Sequence, residues 1–164
     1  MKVIGIDPGL ASTGWAVMEQ DERNPDKVEL IASGCFVTKA GLDISRRLEM
    51  IHDELGEVIK KYQPIDMAVE EIFFAKNVKT AIKVAQAVGV IKYTGIETGL
   101  DVFGYTPLNI KTAITGYGRA KKEQVQFMVK KIIKSDKEIK PDHAVDAAAA
   151  GLTHLFTNRK MIDG

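Results

Sequence analysis

The sequence predicts a mixed α/β fold. It reads as a five-stranded sheet, an antiparallel three-stranded meander plus parallel strands, flanked by helices. Three observations carry this reading. The first forty residues hold three β-prone segments joined by turn-forming residues. The rest of the chain alternates helical and strand patterns, as parallel α/β units do. And 164 residues are enough for one well-buried domain but too few for two. A single domain over residues 1–158, with a short tail at 159–164, is the expected organisation.

Residues 2–7 are apolar and β-prone and end in the Pro8-Gly9 turn. Residues 13–19 and 28–38 read as further strands, separated by a loop that contains Asn24-Pro25. Ile44, Leu48, Ile51, Leu55, Val58 and Ile59 then recur at helical spacing, with Asp43 or Ser45 as the cap. Lys60 and Lys61 occupy the last turn and Pro64 stands just beyond. Residues 66–72 form a short strand of the buried type. Residues 78–98 form a long helix, capped by Asn77, whose Ala81, Ala85 and Gly89 permit close packing against another helix. Residues 102–106 are a fifth strand closed by Pro107, and 115–118 are a glycine-containing loop. Residues 120–134 form an amphipathic helix with Val125, Met128, Val129, Ile132 and Ile133 inward; 142–156 are a final helix rich in alanine. The order β-β-β-α-β-α-β-α-α matches the ribonuclease-H-like fold.

Composition narrows the class. Hydrophobic residues at 45% and charged residues at 27% suit a soluble globular chain, and no apolar run is long enough to span a bilayer. The start, MKVIGID, reaches an acidic residue too early for a signal peptide. A lone Cys35 excludes an internal disulfide and a cysteine-based metal site. A cytoplasmic protein is expected. Net charge is only +1, but residues 1–72 carry 8 Lys/Arg against 14 Asp/Glu, whereas 105–140 carry 9 against 3. That asymmetry suggests a carboxylate site beside a polyanion-binding surface, although a solvated basic helix face would look the same.

Acidic residues fall where elements end or begin. Asp7 ends the first strand, Glu70 the fourth, and Asp142, His143 and Asp146 open the last helix behind Pro141. His143 and Asp146 are three residues apart and share a helix face; Asp142 and Asp146 are four apart. Phosphodiester hydrolysis needs a nucleophilic water and a stabilised leaving alkoxide. Two divalent ions roughly 3.5–4 Å apart serve both ends of that displacement. Hard ions such as Mg²⁺ take carboxylate oxygens. Each residue alone is equally a turn or cap residue; it is the joint pattern on one consistent fold that points to a metal nuclease.

Four segments now carry a family resemblance: GIDPGLASTGWAV (5–17), AVEEIFFAKN (68–77), PLNIKTAITGYGRAKKEQV (107–125) and DHAVDAAAAGLTH (142–154). In order, and across nearly the whole chain, they resemble the signature blocks of the RuvC family of crossover-junction endodeoxyribonucleases. The resemblance implies a structure-specific endonuclease that resolves Holliday junctions by paired, metal-dependent hydrolysis during recombination and repair. It implies Asp7, Glu70 (not Glu71), His143 and Asp146 as metal-holding catalytic residues, with two Mg²⁺ ions and Mn²⁺ also accepted. Many relatives have Asp-x-x-Asp where this chain has His-x-x-Asp. His143 is then either a ligand or a general acid, Asp142 stays as the alternative ligand, and a softer imidazole loosens the preference for Mg²⁺.

For DNA, the resemblance picks out Lys111 and Lys122 near the scissile phosphate. Arg119 and Lys121 add charge around a loop where Gly116 and Gly118 let backbone approach a phosphate. Phe73, followed by Lys76, suits stacking on an unpaired base; Phe74 reads as core. A two-fold symmetric junction needs two active sites, hence a homodimer, with the small-residue face of helix 78–98 as its interface. A branch-migration helicase is the further partner that the resemblance implies. The competing readings are a related nuclease on another branched nucleic acid, a non-catalytic branched-DNA binder, and an actin-like ATP-binding domain. The last needs two lobes, for which the chain is too short.

Overall fold

The computed structural model describes residues 1–71, 78–133 and 139–162, with side chains from residue 80 in the second stretch and up to 157 in the third. The elements are β1 (Lys2–Asp7), β2 (Ser12–Gln20), β3 (Val28–Val37), α1 (Ile44–Tyr62), β4 (Asp66–Glu70), α2 (Val78–Glu97), β5 (Asp101–Tyr105), α3 (Pro107–Thr115), α4 (Lys122–Ile133) and α5 (Asp142–Ile162). The sheet order is β3-β2-β1-β4-β5. β1, β2 and β3 pair antiparallel; β4 runs parallel to both β1 and β5. This is the expected ribonuclease-H-like arrangement.

Two departures from the sequence reading stand out. The first is α3, a helix that the sequence reading left out. It begins with a capping box: the Thr106 hydroxyl accepts from the Asn109 amide, and the Asn109 side chain accepts from the Thr106 amide. Pro107 stands at the first position, and Gly116 ends the helix at φ 73°. Thr-Pro before and Gly after are start and stop signals. The nine residues offer only Ile110 and Ile114 to the core, too few to show a helical period. The second is α5, which continues to Ile162, past the predicted end at residue 156 and through most of the predicted tail. Smaller differences lie at element ends. β4 stops at Glu70, and α4 starts at Lys122 because residues 117–121 turn first, the Ala120 amide donating to the Tyr117 carbonyl. Asp43 rather than Ser45 caps α1, its carboxylate accepting from the Ser45 amide at 2.9 Å. The predicted cap Asn77 lies outside the described residues.

One sheet face is covered by α1 and α2, the other by α5 with α3 and α4 beside it. The α5 face is lined by Ala144, Ala147 and Ala148 against Val3, Ala16, Met18 and Ala68. Such small side chains bring the helix very close. A Cβ on Gly5 would stand 2.0 Å from the Ala147 carbonyl oxygen, and one on Gly14 would stand 2.0 Å from that of His143. Both positions therefore require glycine, and the N-terminal turn of α5 rests directly on β2 and β1.

Candidate active site

Register brings the first two carboxylates together. Ile6 of β1 pairs with Val69 of β4, so Asp7 and Glu70 emerge side by side at the carboxyl ends of two parallel strands. That edge of an α/β sheet is where ligands commonly bind. Glu71 turns away, its carboxylate packing over Gly104, which leaves Glu70 as the one facing the site. The close seat of α5 on Gly14 then delivers His143 and Asp146 from above. Asp7, His143 and Asp146 each present a ligand atom, all within 4.8 Å of one another.

These residues line an open cleft of about 340 Å³ together with Glu70, Lys111 of α3 and Lys122 of α4. His143 Nδ1 hydrogen-bonds Asp7 Oδ2 at 2.8 Å. Lys122 Nζ donates to Asp146 Oδ2 at 2.5 Å, and the Gln126 amide donates to Oδ1 of the same carboxylate at 3.2 Å. Gln126 escaped sequence reasoning. Its place one turn after Lys122, on the same face of α4, was the available signal. Asp142 is exposed and does not line the cleft. Arg119 and Lys121 are exposed on the approach to α4 rather than in the cleft. Phe73, Phe74 and Lys76 lie outside the described residues.

The electrostatics are those of crowded acids. Burial, then repulsion from Asp7 and Asp146, pushes the Glu70 carboxyl from 4.5 up to about 7, against the pull of Lys122 and Lys111. Burial also raises Asp7, which the hydrogen bond from His143 partly offsets. The bond to Asp146 raises Lys122. Asp7, His143 and Asp146 come within ligand reach of one another, Glu70 lines the same cleft, and among the described residues Lys122 sits directly on Asp146 as a counter-cation. Such a donor set, short of positive charge, fits a hard divalent ion.

Comparison with known proteins agrees with this chemistry. The family model described as "Crossover junction endodeoxyribonuclease RuvC" matches residues 3–154. A RuvC of Finegoldia magna is 45% identical over 97% of this chain and 95% of its own. The chain belongs to the RuvC family. It is thus an endodeoxyribonuclease, a phosphodiester hydrolase that depends on a divalent metal. Among solved structures, Thermus thermophilus RuvC superposes with a TM-score of 0.90 at 34% identity, covering 98% of this chain and 97% of that one. The same protein in complex with a Holliday junction substrate gives 0.87 at 32%, covering 98% and 96%. The RuvC match spans all four sequence blocks, from β1 through α5. No helix among the described residues is long and apolar enough to cross a membrane.

Proposed function

We propose that this RuvC-family enzyme resolves Holliday junctions with Asp7, Glu70, His143 and Asp146 as a shared cradle for two Mg²⁺ ions. The observation that carries the reading is convergence. Five elements, β1, β4, α3, α4 and α5, each deliver an ionisable side chain to one cleft open to solvent. The complex of the Thermus relative with its junction substrate supports the choice of DNA.

Ions held by this cradle would activate the attacking water and take up charge on the leaving oxygen. The chain's own side chains do the rest. Asp7 sits centrally, bonded to His143 and coupled to Glu70, and is the natural shared ligand. Gln126 holds Asp146 by one oxygen and orients it. Lys122, on the other oxygen, is close enough to exchange that carboxylate for a phosphate once a cation takes its place. Lys111 lines the same cleft and neutralises phosphate charge there. His143 is half-exposed, so substrate reaches its ring. Arg119 and Lys121, exposed on the approach to α4, extend the DNA contact to further phosphates; Lys76 on a phosphate and Phe73 by base stacking complete the proposed contacts.

Mn²⁺ should replace Mg²⁺ because one ligand is an imidazole. Pairing of nicks calls for a homodimer, and α2 supports one. Ala85 and Gly89 lie exposed on one stripe with Ile82, Tyr93 and Ile96, opposite the buried Ala87 and Ile91. Ala81, the third small residue of the sequence reading, is instead buried within the subunit. A branch-migration helicase follows from family resemblance.

The test is cleavage of a synthetic mobile four-way junction with Mg²⁺ or Mn²⁺, beside a linear duplex of the same sequence. Symmetrical paired nicks in the junction and none in the duplex are expected; equal cutting of both would contradict junction specificity.

A further inference from the structure

About two turns beyond Asp146 on α5, His154 is fully buried. Its Nε2 bonds Asp66 Oδ2 at 2.8 Å and its Nδ1 bonds the Tyr105 hydroxyl at 2.7 Å. Phe103 stacks obliquely against the ring, with centroids 4.5 Å apart. A carboxylate oxygen accepts from the proton-bearing Nε2, and in that neutral tautomer Nδ1 accepts from the Tyr105 hydroxyl. The chain joins the start of β4, the end of β5 and the middle of α5. None of the three residues lines the cleft.

We infer that Tyr105, His154 and Asp66 act as a positioning clamp that sets the register of α5 on the sheet, and with it the spacing of the metal cradle. The inference rests on the proposed metal role of Asp7, Glu70, His143 and Asp146. The buried face of α5 around the site is a run of methyl groups, Ala144 and Ala147 to Ala150. The glycine seats fix how close α5 lies to the sheet, but apolar burial is non-directional and adds little to its register along the strands. The clamp is directional. Displacing α5 would strand the buried Asp66 and His154 and break the bond to the half-buried Tyr105, which is costly.

The geometry links the clamp to the site at both ends. His154 follows His143 by eleven residues, close to three full turns, so the two project from nearly the same azimuth of the helix. Fixing one fixes the other. Tyr105 is the register partner of Glu70 and directly precedes Thr106, which caps α3 and so orients Lys111. One hydrogen-bonded chain therefore holds the strand that carries Glu70 and the helix that carries His143 and Asp146 in a single relative position.

The experiment is Mn²⁺ binding to the full chain without DNA, read from the free-ion electron paramagnetic resonance signal, alongside thermal unfolding without metal. Tyr105→Phe keeps the ring and removes one clamp bond. It should weaken Mn²⁺ binding about tenfold through the placement of α5, comparable to the low end of losing a group bonded directly to a ligand. Asp66→Asn keeps an oxygen acceptor for Nε2 and should bind Mn²⁺ close to the parent. Asp146→Asn is the control for the site. If it lowers Mn²⁺ affinity while Tyr105→Phe lowers only the melting temperature, the clamp is structural and the inference falls. If neither the parent nor Asp146→Asn distinguishes itself in Mn²⁺ binding, the metal cradle falls and the clamp with it.

Discussion

The two faces of the sheet are filled by different means. Against α1 and α2, the strands offer Ile4, Ile6, Val17, Met67 and Val69, met by Ile51, Leu55 and Ile59 of α1 and by Ile91 of α2. Long branched side chains keep helix and sheet apart, and that spacing tolerates adjustment. Against α5, alanines and glycines bring backbone onto backbone. At Gly5 and Gly14 the facing atoms are mainly backbone, with nothing flexible to give way. The metal cradle is built on the second face, where the helix that supplies half its ligands cannot sit higher or lower by even a methyl group. Close small-residue packing lets the fold hold three repelling carboxylates in place.

The sharpest break in the comparison comes from the cradle itself. Asp7→Asn, Glu70→Gln or Asp146→Asn should lower junction cleavage by at least about 10³-fold while leaving junction binding in place, because the phosphate-contacting lysines remain. Gel-shift and cleavage assays on the same protein samples check this. Loss of binding in all three would assign them a structural role instead.

His143 comes next. His143→Ala should lose most activity, and His143→Asp should keep much of it while shifting preference toward Mg²⁺. A fully active His143→Ala beside an inactive Asp142→Asn would transfer the ligand role to Asp142, which the structure leaves exposed.

The raised Glu70 carboxyl predicts two opposed pH trends. Metal binding needs the ionised form, so cleavage should rise by about tenfold per pH unit up to about 7 and then level. Stability of the metal-free protein runs the other way. The folded state holds this proton more tightly than the unfolded chain does. The resulting stabilisation is complete below 4.5 and is lost as pH climbs through about 7. Added Mg²⁺ should therefore raise the melting temperature more at pH 8 than at pH 5. Glu70→Gln should flatten both trends.

Packing variants give the smallest effects and separate the faces. Gly14→Ala must push against the His143 backbone. It should cost about 1–3 kcal/mol and reduce cleavage beyond the loss of folded protein. Ile51→Val on the opposite face should cost about 1 kcal/mol with cleavage per folded molecule unchanged. Gly56→Ala in α1 meets no atom within 4 Å and should be neutral or stabilise by up to about 1 kcal/mol. Denaturant titration combined with rate measurements distinguishes the three.

Much of this was legible in the sequence, for identifiable reasons. Strands and the long helices announce themselves through periodicity, and α1 also through its cap and its stop at Pro64. Asp7, Glu70, His143 and Asp146 were visible because each stands at an element boundary in a motif block. Four things were not visible. α3 is too short to show a period. Gln126 takes its place only once α4 lies beside α5, since its partner Asp146 is 20 residues away. The bond between Lys122 and Asp146 spans 24 residues and turns a predicted phosphate contact into a carboxylate partner in the metal-free protein. Asp66 and His154 lie 88 residues apart and look like an ordinary strand start and helix residue until the fold joins them.

The central claim is that one cradle of four side chains holds the divalent ions. It is tested most directly by an anomalous difference map from a crystal soaked in Mn²⁺. The account predicts two peaks roughly 3.5–4 Å apart, bounded by Asp7, Glu70, His143 and Asp146, with Lys122 displaced from Asp146. Peaks on Asp142, or none at the ends of β1 and β4 at a Mn²⁺ concentration that supports cleavage, would contradict it.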